Sequence, residues 1–129
     1  MSLLTDRRVI LASASPRRLA LLAQVGVRPE VIVAAVAEER GLPPRALVAA
    51  NAARKAQAVA ARLGRCDAWI IGADTVVAQG EVVFGKPCGA AEAARMLAAL
   101  SGNTHSVFTG QCVVDGSSEI GRASCRERV

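Results

Sequence analysis

The chain has 129 residues, of which 52% are hydrophobic and only 2% aromatic, with a formal net charge of +5 at pH 7. That length suffices for one domain, whose core must be built from Val, Ile, Leu and Ala. The positive excess comes from Arg scattered along the chain, with almost no aromatic rings to stack on bases. This argues against a nucleic-acid binder and suits a small anionic ligand such as a nucleotide.

Cys66, Cys88, Cys112 and Cys125 show no C-x-x-C metal spacing, and reduced thiols are expected. Val9–Ala12 is too short for the core of a signal peptide, and no apolar run reaches membrane-spanning length. A cytoplasmic protein without a membrane partner is the expectation.

Along the chain, Val9–Ala12 reads as a buried strand. Ser15 is suited to cap a helix that starts at Pro16 and closes at Gly26. Val31–Ala35 predicts a second strand, and the polar stretch Glu38–Pro44 a loop. Arg45–Leu63 has helical periodicity, closed by Gly64. Ala68–Ala73 predicts a third strand finishing at Asp74. Thr75–Ala78 and Val82–Phe84 predict a pair of strands around Gln79-Gly80, and Lys86-Pro87 breaks that pattern. Ala90–Leu100 reads as a helix and His105–Val114 as a strand. There is no internal repeat and no linker. The alternation predicts an α/β fold with a central mixed sheet.

Several residues could carry chemistry. In Ser13-Ala14-Ser15-Pro16-Arg17-Arg18, a helix N-terminus, two hydroxyls and two guanidiniums could bind phosphate. The same residues could equally be a cap followed by solvated arginines. Asp74, at the end of an apolar strand, could hold a metal or activate water, or could simply bond its own turn. Lys55 and Lys86 are the only lysines; a surface position is the usual case for each. Glu38 reads as a solvated residue, or could help hold Mg²⁺ near a phosphate site. His105, the sole histidine, has no nucleophile or second ligand in the pattern and reads as structural or exposed. The loops of P-loop, dinucleotide-binding and serine-elbow enzymes are missing.

Taken in order, these segments resemble the Maf family of nucleoside triphosphate pyrophosphatases. The matching stretches are Leu11–Arg18, Glu38, Asn51–Ala56, Ile71–Val77, Gly85-Lys86-Pro87 and Met96–His105. The resemblance implies a Maf/inosine-triphosphate-pyrophosphatase-like α/β fold: a central mixed sheet flanked by helices, with a cleft. It implies attack of water on the α-phosphorus of a nucleoside triphosphate. Asp74 would be the catalytic carboxylate. Arg17 and Arg18, with Ser13 and Ser15, would contact the phosphates, and Lys55 and Lys86 would neutralise charge. Glu38 and Asp74 would hold a divalent metal, Mg²⁺. Arg17 and Thr75 look like the branch that acts on dTTP and UTP rather than 7-methyl-GTP. Homodimers are common in the family. The competing readings are an inosine-triphosphate-pyrophosphatase type, a nucleotide-binding regulator of septation without turnover, and an inactive fragment.

The family's pattern continues with a further segment that is not present here. Residues 1–118 are therefore expected to be the N-terminal portion of a single Maf-like domain, incomplete at its C-terminus. Residues 119–129 have no apolar period and resemble a translated sequencing adapter, so a non-native tail is expected there.

Overall fold

The structure is a computed structural model. It describes residues 7–13, 15–33, 36–38, 40–80, 82–84, 89–102 and 104–117, together with the backbone of 123–128. In chain order the elements are β1 (Arg8–Leu11), α1 (Pro16–Gln24), β2 (Glu30–Val31), α2 (Pro44–Leu63), β3 (Ala68–Gln79), β4 (Val82–Phe84), α3 (Ala90–Leu100), β5 (Ser106–Asp115) and β6 (Ala123–Arg128). The six strands form one mixed sheet in the order β2-β1-β3-β5-β6, with β4 also paired to β3. The expected α/β architecture is therefore what the chain adopts.

β1 lies parallel to both β2 and β3, with Leu11 opposite Val31 and Ile71. β3 and β5 are antiparallel, in register from Trp69↔Asp115 to Ala78↔Ser106. The second strand is shorter than the sequence implies, and Ala34 and Ala35 lie outside the described residues. β3 is longer: it does not finish at Asp74 but runs on to Gln79. Thr75, Val76 and Val77 favour extended backbone, and the continuous partner strand β5 holds them there. The backbone of 123–128, which the sequence assigns to the tail, pairs antiparallel with β5. That register sets Cys112 opposite Cys125. Cys112 is disulfide-bonded, a departure from the expected reduced thiols, whereas Cys66 is free.

The core sits between α2 and one face of the sheet. Ile10, Ala12, Ala52, Ala56, Val59, Ala68, Ile70, Cys112 and Val114 form a single buried cluster, as the aliphatic composition requires. Small residues let the helix come close. A Cβ on Gly72 would overlap the Ala52 carbonyl oxygen, and one on Gly110 would overlap the Val48 carbonyl oxygen. The two glycines belong to adjacent strands, and Gly110 is the cross-strand partner of Asp74. The α2 backbone therefore rests on the sheet beside Asp74. α1 and α3, by contrast, contain no buried residue, and Leu21, Val25 and Leu97 are exposed. Among the described residues, no helix is long and apolar enough to cross a membrane.

Candidate active site

Asp74 lies where β3 has lost one neighbour and not yet gained the next. The ladder with β1 ends at Leu11↔Ile71, closed by a bond from Ala12 N to the Ile71 carbonyl, and pairing with β4 begins only at Val77↔Phe84. Among the described residues, one edge of β3 is open between them. Carbonyls two residues apart on a strand point the same way, so the Ala73 carbonyl faces this gap. It accepts a hydrogen bond from Lys55 Nζ at 3.4 Å.

Lys55 comes from α2 and is held among acceptors. Its Nζ is 3.5 Å from Asp74 Oδ1 and 3.2 Å from Glu38 Oε1. Glu38 is exposed, on the loop before α2; Arg54 ties that loop down by donating from Nη1 to the Ala37 carbonyl at 2.5 Å. Asn51, one turn before Lys55, is 2% exposed and donates from Nδ2 to Asp74 Oδ2 at 3.3 Å. Asp74 itself is 9% exposed. Both of its oxygens thus face α2, one toward an amide and one toward an ammonium.

The strand-to-helix turn after β1 borders the same gap. Ser13 is buried, and its Oγ accepts from Ser15 N at 3.2 Å. Ser15 caps α1, its Oγ accepting from Arg18 N at 3.5 Å, with Pro16 in the first turn. Arg18 reaches across and donates from Nη2 to Thr75 Oγ1 at 2.6 Å. Burial holds the Arg18 guanidinium below its ordinary pKa, and the Asp74 charge offsets part of that. Thr75 Oγ1 also lies 3.2 Å from Thr109 Oγ1 on β5.

The fold thus brings together Asp74, Lys55, Glu38, Arg18, Thr75, Ser13 and Ser15. Arg17 is exposed, and it is Arg18 that meets Thr75. Lys86, with the rest of Gly85-Lys86-Pro87, lies outside the described residues. His105 is exposed just before β5. The sequence reading gave no part to Asn51 or Thr109, which the fold places against Asp74 and Thr75. Asn51 carried a signal: it is a polar residue one helical turn from Lys55 in an Ala-rich helix, so the two share a face. Thr109 carried none, because its place depends on the β3–β5 register.

The donor set can be tested against a divalent metal. Glu38 and Asp74 present carboxylate oxygens to one point, now faced by the Lys55 ammonium. Among the described residues no group of three or more His, Cys, Asp or Glu gathers. Two carboxylates do not make a closed protein cage. They do fit Mg²⁺, which is commonly held by one or two carboxylates plus substrate phosphates.

A family model described as Maf-like protein matches residues 8–129. The dTTP/UTP pyrophosphatase of Moorella thermoacetica is 51% identical over 109 residues, covering 83% of this chain and 55% of that protein. The dTTP/UTP pyrophosphatase of Pelotomaculum thermopropionicum is 46% identical over 115 residues, 88% of this chain and 59% of its own length. The chain thus spans a little over half the length of these curated relatives. Among solved structures, the nucleoside-triphosphatase / dITP/XTP pyrophosphatase from Mycobacterium abscessus superimposes with a TM-score of 0.57 at 18% identity, over 94% of this chain and 69% of that one. At that identity the likeness concerns the fold. With the family match running from the start of β1 to the last residue, the chain belongs to the Maf family.

Proposed function

We propose that this protein hydrolyses dTTP and UTP to the nucleoside monophosphate and pyrophosphate. The observation that carries the reading is the convergence of Asn51, Lys55 and Glu38 around Asp74 at the open edge of β3. The names of relatives at 46–51% identity supply the substrate class.

In this reading Asp74 is the general base. It takes a proton from a water whose oxygen attacks the α-phosphorus. The bond from that phosphorus to the bridging oxygen breaks, and pyrophosphate leaves. Lys55, already shared between two carboxylates and a carbonyl, would turn toward phosphate oxygens as charge develops there. Arg18 at the rim would bind phosphate or orient Thr75 against the nucleotide, with Arg17 and Lys86 as further phosphate-binding cations. Ser13 and Ser15 keep hydroxyl hydrogens with which to donate to phosphate oxygens. A divalent cation, Mg²⁺ in this reading, would be held by Glu38 and Asp74 and would neutralise phosphate charge.

The test is pyrophosphate release from dTTP, UTP and 7-methyl-GTP with Mg²⁺, with the full-length Moorella thermoacetica relative assayed alongside. Faster release from dTTP and UTP than from 7-methyl-GTP is the expected result. Binding of these nucleotides without any release would remove the general-base role of Asp74 and leave a nucleotide-binding regulator.

A further inference from the structure

We propose that Asn51 is a positioning residue that fixes the Asp74 carboxylate for its work as a base, a role that rests on the pyrophosphatase reading. An aspartate carboxylate turns easily about its last torsion. Here Oδ2 accepts from Asn51 Nδ2 at 3.3 Å while Oδ1 lies 3.5 Å from Lys55 Nζ. With one oxygen given to each partner, the carboxylate plane is set. Asn51 suits the task because its amide donates a hydrogen bond at every working pH and carries no charge. It therefore orients Asp74 without adding a like charge beside it. A lysine in its place would compete with Lys55, and a second carboxylate would repel.

The helix gives this arrangement its rigidity. Asn51 and Lys55 are four residues apart on α2 and project from one face. α2 is seated on Gly72 and Gly110, the residue two before Asp74 on its own strand and the residue across from it. The amide, the ammonium and the carboxylate thus belong to one tightly packed unit. Asn51 is also 2% exposed, and an amide buried there must be hydrogen-bonded. A role confined to satisfying the core would use the same bond, so the experiment has to separate the two.

Two readouts do so. The first needs no turnover. Asn51→Asp sets two carboxylates face to face and is expected to lower the urea midpoint. Adding Asp74→Asn to it exchanges amide and carboxylate and is expected to recover most of that loss. A midpoint that the exchange leaves unrecovered shows that the two residues are not coupled and overturns the proposal. The second is kinetic. Asn51→Ala is expected to lower kcat for dTTP about 10- to 100-fold, since misplacing a reacting group by about 1 Å costs on that order, with KM changed less than about twofold. Asn51→Ser, which keeps a donor in the pocket, is expected to recover part of the loss. The exchanged pair, stable but with its carboxylate at the wrong position, is expected to remain inactive. A kcat for Asn51→Ala equal to that of the unaltered protein leaves the amide a core residue only and also overturns the proposal. Absence of turnover in the unaltered protein counts against the pyrophosphatase reading instead, and the unfolding exchange then still decides whether Asn51 holds Asp74.

Discussion

β3 begins and continues in two different environments. At its start one carboxylate oxygen gathers three short bonds, while the buried Nε1 of Trp69 has no hydrogen-bond partner among the described residues. Asp115, across from Trp69, receives Ser117 Oγ at 2.7 Å, Arg7 Nη2 at 2.9 Å and Ser117 N at 3.0 Å on a single oxygen. The Arg7 guanidinium lies 4.1 Å from the centre of the Trp69 ring, where it gains cation–π attraction, and also pairs with Asp67 at 3.0 Å. At Asp74 itself the bonds are longer, 3.3 Å from Asn51 and 3.5 Å from Lys55, which also reaches the Ala73 carbonyl at 3.4 Å, although Arg18 meets Thr75 next door at 2.6 Å. Three short bonds on the Asp115 oxygen leave it little capacity for a ligand. Long ones beside an open strand edge can tighten on a substrate, as catalytic hydrogen bonds in unliganded enzymes commonly do. The same strand is thus a clasp at one end and carries the proposed site in its middle.

The largest effect should come from Asp74→Asn. The substitution keeps the shape and an acceptor for Asn51 but removes the proposed base. Turnover of dTTP is expected to fall by about 10²–10⁴-fold, the usual worth of a positioned general base. Nucleotide binding, measured by calorimetry, should change far less. Turnover within a few-fold of the unaltered protein would show that another group takes the proton, and the contrast between the two parts of β3 would lose its functional meaning.

Gly110→Ala tests the geometry beneath the site. The added methyl would overlap the Val48 carbonyl oxygen and approach Ala49 N to 2.9 Å. These are backbone atoms, so α2 must lift. Overpacking of this kind costs about 1–3 kcal/mol, and the lift withdraws Asn51 and Lys55 from Asp74. Stability by urea unfolding and kcat should therefore fall together. Loss of stability with unchanged kcat would show that the helix seat does not set the site.

Much of this was legible in the sequence because it rests on local rules. Ser15 and Pro16 start α1, Gly64 closes α2, and Ala90–Leu100 is a helix within the bounds its pattern implies. Asp74, Lys55 and Glu38, drawn from a strand, a helix and a loop, were singled out by residue type and by likeness to a family pattern, and the fold brings them together. What was not legible depends on long-range pairing. The passage of β3 through Asp74 is decided by ten residues of β5, not by the turn preference of Asp. That Arg18 and not Arg17 meets Thr75 is a matter of helix phase: neighbouring residues point about 100° apart, and a short N-terminal turn does not reveal its absolute rotation. Thr109 is near Thr75 only because two strands happen to be in that register.

The smallest effect should belong to the clasp. Hydrogen bonds from the Ser117 side chain and from Arg7 hold the Asp115 carboxyl down at about 2, against an ordinary 3.8. A carboxylate whose folded pKa is depressed contributes stability above its unfolded pKa, and that contribution is lost as pH falls through the folded value. The window here runs from about pH 4, where the unfolded chain begins to take up the proton, down to about pH 2. Asp115→Asn should therefore flatten the decline of stability between those limits, as followed by urea unfolding at stepped pH. It should lower stability modestly at neutral pH, where the charged form is the one being stabilised. Because Asp115 faces Arg7 and Ser117 and not the gap beside Asp74, kcat at neutral pH should stay as it was. A variant that loses turnover as well would mean that the start of β3 sets the geometry of its middle, and that clasp and site form a single unit.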